Sequence, residues 1–93
     1  MFEDLTLVAN QGPGTYGPVD WQGGIGTFKA TGTWGGGNAK LQALSPDGST
    51  YYDLTGVVLS ANGAIGFEHS RTSIKCVVTT ATAVYAAIGP VSP

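Results

Sequence analysis

Between two glycine corners, Gly23-Gly24 and Gly35-Gly36-Gly37, the chain runs Ile25-Gly26-Thr27-Phe28-Lys29-Ala30-Thr31-Gly32-Thr33-Trp34. Phe28, Ala30 and Trp34 share one parity of this run, and Thr27, Lys29, Thr31 and Thr33 share the other. Such alternation is the period of a half-buried strand, because successive side chains leave opposite faces of the pleat. The first set is predicted to face a core. Gly26 and Gly32 fall on the same inward parity, which predicts close approach of another backbone, or of a ring such as Trp21, with a bulge nearby. No residue of this stretch is suited to catalysis.

The same grammar recurs along the chain. No segment carries the i, i+3, i+4 apolar rhythm of a helix, whereas Val, Ile, Thr and aromatic residues recur in short runs between turn residues. Leu5 to Ala9 reads as a strand closed by Asn10-Gln11-Gly12-Pro13-Gly14. Tyr16 to Trp21 reads as a short edge strand, since Pro18 has no amide to give to a central ladder. Asn38 to Leu44 sets Ala39, Leu41 and Ala43 against Lys40 and Gln42, after a tight return at Gly35-Gly36-Gly37. Ser45-Pro46-Asp47-Gly48-Ser49 is the strongest turn and predicts a hairpin to Thr50–Asp53. Val57 to Ser60 and Ala64 to Glu68 flank Asn62-Gly63, a pair that predicts a second hairpin. Thr72 to Thr80, with Ile74, Cys76 and Val78 inward, turns near Thr80-Ala81-Thr82 into Ala83 to Ile88. The expected fold is all-β: a two-sheet antiparallel β-sandwich, jelly-roll or immunoglobulin-like, of about eight short strands. Several Greek-key strand orders fit equally well. Residues 1–93 are expected to form a single domain, with 1–6 and 90–93 as candidate extended termini.

Charged residues make up 11% of the chain and glycine occupies 15 positions, against about 25% charge in an ordinary soluble domain. Two readings stay open: a surface destined to be covered, and a neutral, hydroxyl-rich β surface. Four basic residues, Lys29, Lys40, Arg71 and Lys75, stand apart from one another within a formal net charge of -2. They form no track for a phosphate backbone, so no nucleic-acid partner is expected. No apolar run is long enough to cross a bilayer, and the acidic Met1-Phe2-Glu3-Asp4 is unlike a signal peptide. Synthesis in a cytoplasm and no membrane partner are the expectations. Cys76 is the single cysteine, which excludes an internal disulfide.

Few patterns in the chain carry chemistry. Gly12-Pro13-Gly14-Thr15-Tyr16-Gly17 spells G-x-G-x-x-G, but Pro18-Val19-Asp20-Trp21 follows where the fingerprint needs a helix. His69, Ser70, Asp47 and Asp53 supply the residue types of a hydrolase triad without its spacing, and His69 reads as an exposed loop histidine. Cys76 shares parity with Ile74 and Val78 and reads as a core residue. No metal or cofactor site is expected. Tyr16, Trp21, Trp34, Tyr51 and Tyr52 would suit a sugar-stacking platform; the other reading has Trp34 and Phe28 filling the core and the tyrosines lining an interface with another subunit, and no acid or amide is placed beside the rings to read hydroxyls. Tyr51 and Tyr52 point to opposite faces, so one is expected at the surface. Phe2, Tyr16, Trp21, Tyr51 and Tyr52 are the candidate interface residues.

At Val19-Asp20-Trp21-Gln22-Gly23-Gly24-Ile25-Gly26-Thr27-Phe28, Gly32-Thr33-Trp34-Gly35-Gly36, Leu41-Gln42, Pro46-Asp47-Gly48-Ser49-Thr50-Tyr51 and Leu59-Ser60-Ala61-Asn62-Gly63, the chain resembles small β-sandwich virion proteins of tailed bacteriophages. These are capsid decoration or cement proteins, or related domains of head fibres and tails. The resemblance implies a non-enzymatic protein on the capsid surface of the virion. Its partners would be the major capsid protein and copies of itself, as a trimer. The alternative is a glycan- or cell-surface-binding β module. The shared motifs are turn and core signatures and carry over no functional residue.

Overall fold

The computed structural model describes residues 4–91. Within them the chain forms β1 (Leu5–Gln11), β2 (Gly14–Trp21), β3 (Gly24–Thr33), β4 (Asn38–Leu44), β5 (Tyr51–Leu59), β6 (Gly63–His69), β7 (Thr72–Thr79) and β8 (Thr82–Pro90). They build two four-stranded antiparallel sheets, a first in the order β1-β8-β3-β6 and a second in the order β2-β7-β4-β5. The chain pairs with itself as one long rolled hairpin: β1 with β8, β2 with β7, β3 with β6 and β4 with β5. Rolling adds the β3–β8 and β4–β7 pairings. This is the strand order of a jelly roll, which decides between the two expected sandwiches.

The tip of the rolled hairpin is the turn that stands out in the sequence. Ser45 N–H donates to the Thr50 carbonyl at 2.7 Å, Gly48 N–H to the Ser45 carbonyl at 3.0 Å, and Gly48 takes φ 79°, where a side chain would be strained. The Asp47 carboxylate accepts the Ser49 and Thr50 amides at 2.8 and 2.9 Å. Those amide bonds hold the Asp47 pKa far below the usual carboxylate range. A group with a depressed folded pKa contributes stability that is complete above its unfolded pKa, about 3.9, and is lost as pH falls toward the folded value. Asp47→Ala should therefore melt earlier than wild type at neutral pH, and the gap in Tm should narrow below about pH 4. A gap that does not change with pH would contradict this role.

The other turn signals do not make hairpins. Every connection except β4–β5 crosses from one sheet to the other, including the returns at Gly35-Gly36-Gly37, Asn62-Gly63 and Thr80-Ala81. A two-residue Asn-Gly hairpin needs positive φ at both positions, and neither Asn62 nor Gly63 adopts it. The Asn62 side chain instead accepts the Gly32 amide and Trp34 Nε1, both at 2.9 Å. The two runs expected on either side of Leu54 are one strand, β5, with Gly56 at φ 79°. Between the pairs Gln42↔Asp53 and Lys40↔Val58, only Leu41 faces the β5 residues 54–57, so β5 bulges outward there.

The predicted parities set the core. Phe28, Ala39, Leu41, Ala43, Ile74 and Cys76 are wholly buried, and Ala30 and Val78 nearly so. Trp34 lies just past β3, half-buried and packed against that cluster. Burial pushes the Cys76 thiol up to about 12, as expected of a small core residue and not of a nucleophile. Leu5 and Thr6 belong to the strand expected from Leu5 to Ala9, paired with Ile88 and Ala87, and not to an extended terminus; Pro90, a candidate terminal residue, pairs with Gly26. No buried polar or charged residue occurs among the described residues.

Trp21 closes the core at one end. Its ring is 0% exposed and tilts against Phe67 at 5.0 Å between centroids, and its Nε1 donates to the His69 carbonyl at 3.3 Å. The predicted close approach to Gly26 is present: a β-carbon on Gly26 would lie 2.8 Å from Trp21 Cζ2 and 3.0 Å from Phe67 Cζ. Gly32 approaches the backbone and side chain of Val84 in the same way.

Candidate functional site

Because each strand traverses the sandwich, the β2–β3, β4–β5 and β6–β7 connections share one end. There a cleft of about 500 Å³ opens between Asp20, Ser45, Tyr52, His69, Arg71 and Ser73. Tyr52 lies on β5, an edge of the second sheet, and reaches His69 at the end of β6, an edge of the first. The His69 Nδ1 faces the Ser70 carbonyl at 2.8 Å, which can only accept, so this nitrogen donates. In the neutral ring Nε2 then accepts from the Tyr52 hydroxyl. Across the cleft Arg71 Nη2 meets Asp20 Oδ2 at 3.0 Å, both side chains being about 70% exposed.

The triad residue types do not converge. Asp47 is occupied by the turn amides, and Asp53 binds Lys40 and Gln42 at 3.1 and 2.9 Å. Those two partners, Gln42 first, hold the Asp53 carboxyl below its ordinary pKa. His69 is half-buried at a strand end and tied to Tyr52, not free on a loop. Among the described residues no group of three His, Cys, Asp or Glu side chains gathers as a metal site.

The candidate interface residues separate. Trp21, expected at a surface, is a core residue and touches no solvent: its large ring fills the space that Gly26 leaves. Tyr16 is half-buried, pairs with Cys76 on the inward parity, and donates its hydroxyl to the Gly12 carbonyl at 2.7 Å, pinning the β1–β2 loop. Tyr51 is half-buried on the outer face of the second sheet, with the Lys75 ammonium 4.0 Å from its ring centroid. Tyr52 is 40% exposed in the cleft. Phe2 lies outside the described residues.

Parity in β8 could have exposed another residue. Val84, Ala86 and Ile88 point inward, so Tyr85 points out and is 54% exposed. It stands between Thr31 and Ala9 on the outer face of the first sheet, with Lys29, Ala87 and Thr6 one outward step along the ladder. A shallow depression of about 280 Å³ lies among Thr6, Lys29, Thr31, Tyr85 and Ala87. Lys29 on this face is paired with Asp4. The outer face of the second sheet differs, carrying Lys75 and the Lys40–Asp53 pair. Asp20 and Arg71 were also missed, because they are 51 positions apart and only the β2–β7 pairing brings them together. They supply the acid and guanidinium that the sequence did not place beside an aromatic ring.

No family model matches the chain, and no curated protein or solved structure matches it.

Proposed function

We propose that this protein is a structural virion protein that docks on the outside of a phage capsid and reinforces contacts between major capsid subunits. The observation that carries the reading is the outer face of the first sheet. Its central strands present threonines, alanine and the exposed Ile25 and Tyr85, and their one charge, Lys29, is paired with Asp4. An aromatic residue amid small neutral ones is the composition of a protein contact, in which charge is depleted and Tyr is enriched. A capsid repeats its surface many times, so a small protein gains occupancy there by multivalency if its copies also touch. The test is to mix purified protein with capsids lacking it. Saturable co-sedimentation is expected, and no binding at any concentration would overturn the reading.

A second reading has its own observation. Tyr52 and His69 share the end cleft with Asp20 and Arg71, the combination of an aromatic face and planar hydrogen-bonding groups that suits a sugar ring. A glycan array would test it: retained glycan lost in both Tyr52→Ala and Arg71→Ala would favour the cleft, and an empty array would exclude it. Jelly rolls host both capsid and lectin domains, so the fold favours neither reading.

A further inference from the structure

A sandwich has four sheet edges, and unpaired edges recruit strands unless something blunts them. Three edges of this protein are blunted. β1 carries two register shifts along its β8 pairing, with Asn10 at φ 55°. β2 carries Pro18 inside the register shift between Tyr16 and Val19. β5 bulges between Asp53 and Val58. The fourth edge, β6, is different: all seven of its residues pair with β3, from His69↔Gly24 to Gly63↔Ala30, without a shift. It contains no proline and no lysine, and its outward residues are Ala64, Gly66 and Glu68. Nothing twists or charges this edge away from another strand, apart from one carboxylate.

We propose that β6 pairs edge to edge and antiparallel with β6 of a second copy of this chain, joining two first sheets into one eight-stranded sheet about a two-fold axis at Gly66. The occupant is argued from the sequence of the edge itself. An isologous contact sets each residue against its mirror position. Centred on Gly66, the register places Glu68 opposite Ala64 of the second copy, so the only charge on the strand meets a methyl group and not its own copy. On the inward face it places Phe67 opposite Ile65, and Ile65 is partly exposed in the single chain, so pairing extends the core. Small outward residues leave room for the two ladders to meet flat. The pair is two-fold, unlike the trimer that the resemblance implies, and the inference does not depend on capsid or glycan binding.

Gly66 also provides the test. A β-carbon there meets only the Gly26 carbonyl oxygen, at 3.9 Å, and its φ is not positive, so Gly66→Ala and Gly66→Glu fit the single chain. In the pair, Gly66→Glu sets two carboxylates directly opposite each other and beside both Glu68 side chains, and like charges opposed across strands destabilise pairing. Sedimentation equilibrium of the wild type should give twice the 9.5 kDa chain mass at high concentration. Gly66→Ala should remain a dimer, and Gly66→Glu should dissociate about tenfold more readily with an unchanged circular dichroism spectrum. Hydrogen exchange should show β6 amides gaining protection with concentration in the wild type and not in Gly66→Glu. A wild type that stays monomeric at millimolar concentration, a trimer, or a folded Gly66→Glu that dimerises as well as wild type would overturn the proposal.

Discussion

Trp21→Ala is expected to cost about 3–5 kcal/mol, the range for removing a large buried ring, and to lower Tm by roughly 15–30 °C in a domain of this size. Whole domains are stable by only about 5–15 kcal/mol, so the variant would be partly unfolded at physiological temperature. The ring is wholly buried, packs on Phe67, and covers the small surface of Gly26, so its loss leaves a cavity that rigid strands on both sheets cannot collapse into. The Nε1 bond to the His69 carbonyl also holds the strand end that presents His69 to Tyr52. Trp21→Phe keeps an aromatic ring but loses that bond, and should cost less than the alanine variant. Thermal and urea melts measure both; a loss below about 1 kcal/mol for Trp21→Ala would mean that the ring does not occupy this site.

Gly26→Ala carries the second large effect, from the opposite cause. The added methyl would sit inside contact distance of the Trp21 ring and tight against Phe67, and neither ring can swing away in a packed core. Overpacking of this kind costs about 1–3 kcal/mol, more where the neighbours are rigid. The clash is with the far edge of the six-membered part of the indole, which phenylalanine does not reach. Gly26→Ala should therefore be better tolerated in a Trp21→Phe background, with a coupling of about 1 kcal/mol or more in a double-mutant cycle. Additive losses would contradict the contact.

The contact was legible before any coordinates because it needs only parity and residue size. Phe28, Ala30, Gly26 and Gly32 share a face, and an inward glycine admits either a ring such as Trp21 or another backbone; Gly26 meets the ring and Gly32 the backbone and side chain of Val84. The ring alternative, which buries Trp21, is the one the structure adopts, and it removes Trp21 from the candidate interface residues. Parity likewise gave the inward sides of β4 and β7, and proline chemistry gave the edge position of β2. The Ser45–Ser49 turn was legible because its bonds are local, within six residues. The alternation of strands between sheets was not legible, since a connection that crosses the sandwich uses the same turn residues as one that closes a hairpin. Asn62 shows the difference: its side chain is spent on Gly32 and Trp34, 30 and 28 positions away, and no local pattern announces that. The cleft was invisible for the same reason, its aromatic and charged groups coming from β2, β5, β6 and the β6–β7 turn.

The capsid contact proposed above, through the outer face of the first sheet, is tested most directly by one paired measurement. Capsids lacking the protein are titrated with wild type, Tyr85→Asp and Arg71→Ala, and bound protein is quantified after sedimentation. Tyr85 is exposed on a central strand of the face, so Tyr85→Asp should fold normally and lose at least tenfold in affinity, about the 1.4 kcal/mol or more expected when an interface aromatic is replaced by a charge. Arg71→Ala, at the end cleft, should bind as wild type does. Wild-type binding by Tyr85→Asp, or loss of capsid binding in Arg71→Ala alone, would contradict the claim.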